Sequence, residues 1–144
     1  MSKDFENIVK DIQEKIERDE EANFSKKVID EYRNPINFGT IPNADATGEI
    51  KGPCGDTMKI TLKIRNNTIT KARFWTDGCG PSIACGNKLT KLIIGKTLEE
   101  SSNITSEDLN KALDGLPDDH MHCTLLAVNT LLKCIKSYQN KVNQ

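Results

Sequence analysis

The 144-residue chain has no strong excess of either charge: 20 lysines and arginines face 21 aspartates and glutamates, for a net charge of −1. A nucleic-acid binder usually shows a basic excess or stripe, so this balance argues against one. Aromatics are few, with one tryptophan, two tyrosines and four phenylalanines, too few for a base-stacking platform. No run approaches the roughly 18 apolar residues a membrane-spanning helix needs. The start, Met1-Ser-Lys-Asp-Phe-Glu-Asn, lacks the apolar core of a signal peptide. These absences predict a cytoplasmic protein with no membrane or nucleic-acid partner. Cysteine is present, and its five copies in a reducing compartment point to metal or catalysis rather than disulfides. No Cys-x-x-Cys pair exists, which argues against a thiol redox enzyme.

The length suits one domain with a short appendage. Residues Lys3 to Glu21 carry an apolar stripe, Phe5, Ile8, Val9, Ile12 and Ile16, at helical spacing on an otherwise charged segment. This predicts an amphipathic helix packed on the domain, or else one used for docking or dimerisation. Ser25 is placed to cap a second helix over Lys26–Arg33, with Val28, Ile29 and Tyr32 on one face. Asn34-Pro35 ends it, because a residue before proline avoids the helical region. Residues 34–48 read as an irregular loop.

Met58, Ile60, Leu62 and Ile64 alternate with polar residues, the mark of a half-buried strand. Asn66-Asn67 suits a tight turn. A second strand runs over residues 68–76, where the broken alternation predicts a bulge. Residues 47–50 add an edge strand. A helix is expected from Pro81 to Ile94, stopped by Gly95. A shorter one follows the cap at Thr105 or Ser106. The last helix starts near Asp118 or Asp119 and runs to about Asn140, with Val128, Leu131, Leu132 and Ile135 inward. This order predicts an α+β fold: a small, about three-stranded antiparallel sheet with helices on one face, plus the N-terminal amphipathic helix. The chain divides into an extension, 1–23, and a domain, 24–144.

Three cysteines occupy element boundaries. Cys54 lies in Gly52-Pro53-Cys54-Gly55-Asp56, before the first strong strand. Cys79 lies in Asp77-Gly78-Cys79-Gly80-Pro81-Ser82, at a strand-to-helix corner. Cys123 follows His120-Met121-His122, in the first turn of the last helix. Free amides and the helix dipole favour thiolate at a helix start, so Cys79 and Cys123 are expected to be acidic thiols. A rigid fold can aim such boundary residues at one point. Asp56 offers a harder, more weakly binding oxygen, or else caps a turn. His122 is a competent imidazole ligand. His120 reads as a solvated helix-start residue, Cys134 as a core thiol, and Cys85 as packing within its helix.

The motifs Gly52-Pro-Cys-Gly-Asp56, Gly78-Cys-Gly-Pro-Ser82 and His122-Cys123, with the upstream run Tyr32-Arg33-Asn34-Pro35-Ile36-Asn37-Phe38-Gly39, together resemble the IscU and NifU N-terminal family of iron–sulfur cluster scaffolds. The resemblance covers about residues 25–144. It implies the IscU/SufE-like α+β fold and a carrier rather than an enzyme. It implies assembly of a [2Fe-2S] cluster from iron and from sulfur supplied by a cysteine desulfurase, and passage of the cluster to apo-proteins. Cys54, Cys79 and Cys123 would be the thiolate ligands. Asp56 would be an exchangeable fourth ligand, His122 an alternative one, and Cys123 the persulfide acceptor. Two chains sharing a cluster would form a homodimer. Bacterial members carry Leu-Pro-Pro-Val-Lys before the His-Cys pair, read by a dedicated Hsp70-type chaperone. Here the stretch is Leu116-Pro117-Asp118-Asp119-His120, a departure that puts the Hsp70-type chaperone partnership in doubt, and His120 replaces the lysine. The same donors make a tetrahedral zinc site, so the alternative is a zinc-binding sulfurtransfer protein, and zinc is a candidate occupant of the apo form.

Overall fold

The structure is a computed structural model that describes residues 3–143. Helices α1 (Lys3–Asn23) and α2 (Lys26–Arg33) lead into strands β1 (Ala46–Lys51), β2 (Thr57–Arg65) and β3 (Thr68–Thr76). Helices α3 (Gly80–Ile93), α4 (Leu98–Ser102) and α5 (Ser106–Ala112) follow, then a single 3₁₀ turn, Asp118–His120, and α6 (Met121–Val142). The sheet is antiparallel in the order β1-β2-β3. This is the α+β architecture the sequence predicts.

Local chemistry accounts for the boundaries. Ser25 Oγ accepts from the Val28 amide at 3.1 Å, capping α2. Asn66 and Asn67 both take positive φ, 52° and 65°, the geometry of a two-residue hairpin turn. The expected bulge is at Thr70: Lys63 pairs with Lys71 but Ile64 pairs with Ile69, leaving Thr70 unpaired. Helix α4 escaped the sequence reading. Its signal is the capping box Thr97-x-x-Glu100, in which each side chain bonds the other's backbone amide.

The inner face of the sheet presents Met58, Ile60, Leu62, Ile69, Ala72 and Phe74, all buried. Helices α3 and α6 cover it with Ala84, Cys85, Leu89, Ile93, Ala127, Leu131, Cys134 and Ile135. Contact is close. A Cβ on Gly48 of β1 would sit 2.6 Å from the Cys134 backbone nitrogen, and one on Gly86 of α3 would sit 2.4 Å from the Phe74 ring. The loop between α2 and β1 crosses the outer face. It bonds the β3 edge (Gly39 N to Phe74 O, 2.7 Å), then Thr61 on the outer side of β2 (Ile41 N to Oγ1, 3.0 Å), and reaches β1 at Asp45. This explains why Thr61, on the nominally solvated face, is only 2% exposed.

Two expectations change. Helix α1 buries none of its residues, and Phe5, Ile8, Val9, Ile12 and Ile16 stay about half exposed. The helix therefore does not pack on the domain. Its anchor is its end, where Glu20 pairs with Arg33 of α2. Leu132 of α6 faces outward, while Leu126 and Ala127 join the buried face beside Cys134, the core thiol expected there. Four apolar positions can be chosen along more than one stripe of a long helix, and β1 selects the stripe that includes Cys134.

Candidate metal centre

The site lies where β3 runs into α3 and where α6 begins. Cys79 is the N-cap of α3, with extended backbone (φ −76°, ψ −178°), and its side chain caps nothing. Its carbonyl accepts from the Ile83 amide, and the residue is exposed. Cys123 is the third residue of α6. Cys54 sits in a tight turn closed by Gly55 N to Gly52 O (3.0 Å) and Gly52 N to Asp56 O (2.7 Å), with Gly55 at φ 88°. That turn is tied to the β3–α3 corner by the Thr57 amide, which donates to Asp77 Oδ1 at 2.7 Å.

Cys79, His120 and Cys123 each offer a donor atom, and these atoms lie within 4.8 Å of one another. Ser82 stands between the two thiols, with its Oγ 3.4 Å from Cys123 Sγ and 4.0 Å from Cys79 Sγ. His122 Nε2 lies 3.6 Å from Cys123 Sγ. The Asp56 carboxylate and the Ser82 hydroxyl both come within 3 Å of where a Gly78 side chain would begin, so glycine keeps that corner open. Cys54 and Cys79 are exposed, while Cys123, Cys85 and Cys134 are buried.

Three expectations are corrected here. Cys123 is not an acidic thiol: burial pushes it up to about 11, against the lowering effect of Ser82, and the neighbouring Cys79, Asp56 and Cys54 push the same way. Desolvation in the absence of a cation outweighs the half-charge of a helix start. Nor is Cys123 the partly exposed thiol that a persulfide acceptor calls for, since it is fully buried. His120 is not a solvated residue: its side chain is 28% exposed, its ring lies 5.6 Å from the Phe24 ring, and its Nδ1 is buried without a hydrogen-bond partner among the described residues.

Ser82 carried no weight in the sequence reading. Its signal was its position three residues after the cap Cys79, one helical turn on, which places both on one side of α3. Cys85 is fully buried, and its thiol is pushed well above the ordinary value by burial first and by Cys123 and Cys79 next. Cys134 is a core thiol whose Sγ donates to Ile60 O at 3.5 Å.

Thiols, imidazoles and a carboxylate gathered at the end of a three-stranded antiparallel sheet make an α+β domain whose donor set could hold a soft metal ion. Residues 23–144 match the NifU-like N-terminal domain, and the chain belongs to that family. It is 41% identical over 119 residues to an iron–sulfur cluster assembly scaffold protein IscU of Archaeoglobus fulgidus, covering 82% of this chain and 78% of that one. It is 38% identical over 123 residues to IscU of Escherichia coli K12, covering 82% of this chain and 95% of that one. A crystallised NifU-like N-terminal protein of Brucella abortus shares the fold at a TM-score of 0.64 and 20% identity, over 81% of this chain and 94% of that one.

Proposed function

We propose that this chain is a scaffold on which a [2Fe-2S] cluster is built from iron and desulfurase-derived sulfur and then handed to apo-proteins. The relatives named as cluster scaffolds support this reading. The observation that carries it is the meeting of Cys79 and Cys123, from different helices, beside Asp56 and the exposed Cys54 turn.

In this reading Cys54, Cys79 and Cys123 hold the cluster as thiolates. Four thiolates would hold it durably, whereas a scaffold must let it go. Asp56 supplies the harder, exchangeable corner, with His122 as its rival. Cys123 accepts sulfur: its thiolate attacks the outer sulfur of the desulfurase persulfide, the S–S bond breaks, and the desulfurase cysteine leaves as thiolate. The thiol must first lose its proton, and His122 Nε2, 3.6 Å away, is placed to take it.

Anaerobic addition of ferrous iron and sulfide should give a coloured protein with a [2Fe-2S] Mössbauer spectrum. Asp56→Ala should then slow transfer to an apo-acceptor. A colourless product with tightly held zinc would favour the zinc-binding sulfurtransfer alternative, which the same donors suit.

A further inference from the structure

We infer that His120 is a metal ligand, and that with Cys79 and Cys123 it forms a site for one divalent first-row metal ion, iron(II) or zinc, with a fourth position open. This rests on the scaffold reading and deepens it, because such a site would take the first metal ion before a cluster exists.

The ligand set expected from the sequence omits His120. The fold brings it in because the 3₁₀ turn Asp118–His120 runs directly into α6, so His120 and Cys123 are three residues apart on one side of the helix start. Cys79 arrives from the start of α3. The three donors lie within 4.8 Å of one another. Bonds of about 2.3 Å to sulfur and about 2.0 Å to nitrogen put tetrahedral donors roughly 3.5–3.8 Å apart, so a contraction of about 1 Å closes the set.

The ring itself indicates a missing partner. Nδ1 is enclosed and has no hydrogen-bond partner among the described residues, an unusual state for a buried polar atom. Nε2 lies 3.8 Å from the Asp119 carboxylate. A metal-bound histidine commonly presents its second nitrogen to a carboxylate, which fixes the ring and strengthens the ligand. Phe24, between α1 and α2, packs on the His120 ring and also meets the Tyr32 ring edge-on at 6.4 Å. The imidazole is thus packed against an aromatic side chain from another part of the chain. Two sulfurs and one nitrogen suit a borderline-soft ion, and the open position would receive sulfide or the Asp56 oxygen as assembly proceeds. Each thiol that binds as thiolate releases its proton to solvent.

Cobalt(II) alone, added anaerobically to the apo full-length chain, tests this. Wild type should show thiolate-to-cobalt charge transfer and tetrahedral visible bands. His120→Ala should lower the affinity, measured against a competing chelator, by about tenfold or more, since losing even an outer-shell partner of a ligand costs about 10–100-fold. His122→Ala and Asp56→Ala should each cost less than His120→Ala. Equal binding by His120→Ala, or a larger loss in His122→Ala, would overturn the assignment. Wild-type protein carrying nitrogen-15 histidine and cadmium-113 gives a check free of any folding defect. Coupling between cadmium and His120 Nδ1 supports the site, and coupling to His122 alone, or to no imidazole, rejects it. Failure of the wild-type chain to form a cluster from iron and sulfide would instead overturn the scaffold reading, whatever the cobalt result.

Discussion

Ser82 Oγ lies 3.4 Å from Cys123 Sγ, and both atoms are buried. The hydroxyl is the one neighbour acting to lower the Cys123 thiol, against burial and three nearby acidic groups. Ser82→Ala should therefore push Cys123 above its present value of about 11. The rate of Cys123 alkylation at mildly alkaline pH, followed by peptide mass spectrometry, should fall severalfold while that of exposed Cys54 stays constant. An unchanged Cys123 rate would remove Ser82 from the chemistry of the site.

Buried thiols set the alkaline limit of the metal-free protein. Burial pushes Cys134 up to about 12 and leads the rise of Cys123 to about 11, from an ordinary value of 9.0. Tyr32 moves in the same sense, to about 12, through burial and then Glu20. Above pH 9 the unfolded thiols lose protons that the folded ones keep, so the unfolded state gains. The stabilisation is complete below pH 9 and is lost as pH rises through about 11. Urea midpoints should fall across that window, and Cys134→Ala should flatten the decline. A midpoint constant from pH 9 to 11 would contradict the burial of these groups.

The seam between β1 and α6 tolerates no side chain at residue 48. A Cβ there would meet three Cys134 atoms between 2.6 and 2.8 Å, two of them backbone. Gly48→Ala should cost at least the 1–3 kcal/mol or so typical of overpacking. It should also shift α6, which carries Cys123, so metal affinity should fall as well. Urea denaturation and cobalt binding measure the two effects, and a neutral Gly48→Ala would mean that α6 sits farther from β1.

Helix α1 contributes little to the stability of the domain through its stripe. Ile12 is 55% exposed. Ile12→Lys should change the unfolding free energy by no more than about 0.5 kcal/mol, as for surface substitutions generally. A loss above about 1 kcal/mol that does not depend on protein concentration would show that the stripe is covered within the chain.

Much of the site was legible because its cysteines sit where local chemistry speaks. Glycine and proline flank Cys54 and Cys79, and these residues mark turns and helix starts from short-range sterics alone. The hairpin was legible for the same reason, through Asn66-Asn67 and the alternation of β2. His120 was not. Its sequence neighbours, Asp119 and Met121, say only that a helix is beginning. Its burial comes from Phe24, 96 positions earlier, and no local pattern encodes a contact of that separation.

The same division runs through the whole protein. By itself the sequence determined the order of the elements other than α4, the α+β class and the three boundary cysteines, because propensity, capping and periodicity act over a few residues. Only the tertiary structure decided that α1 stays uncovered, that Leu132 turns outward, and that Cys123 is a buried thiol whose titration is pushed up. Those outcomes depend on which surfaces meet and how much water they exclude, and desolvation at such a meeting outweighs the local dipole that the sequence made visible.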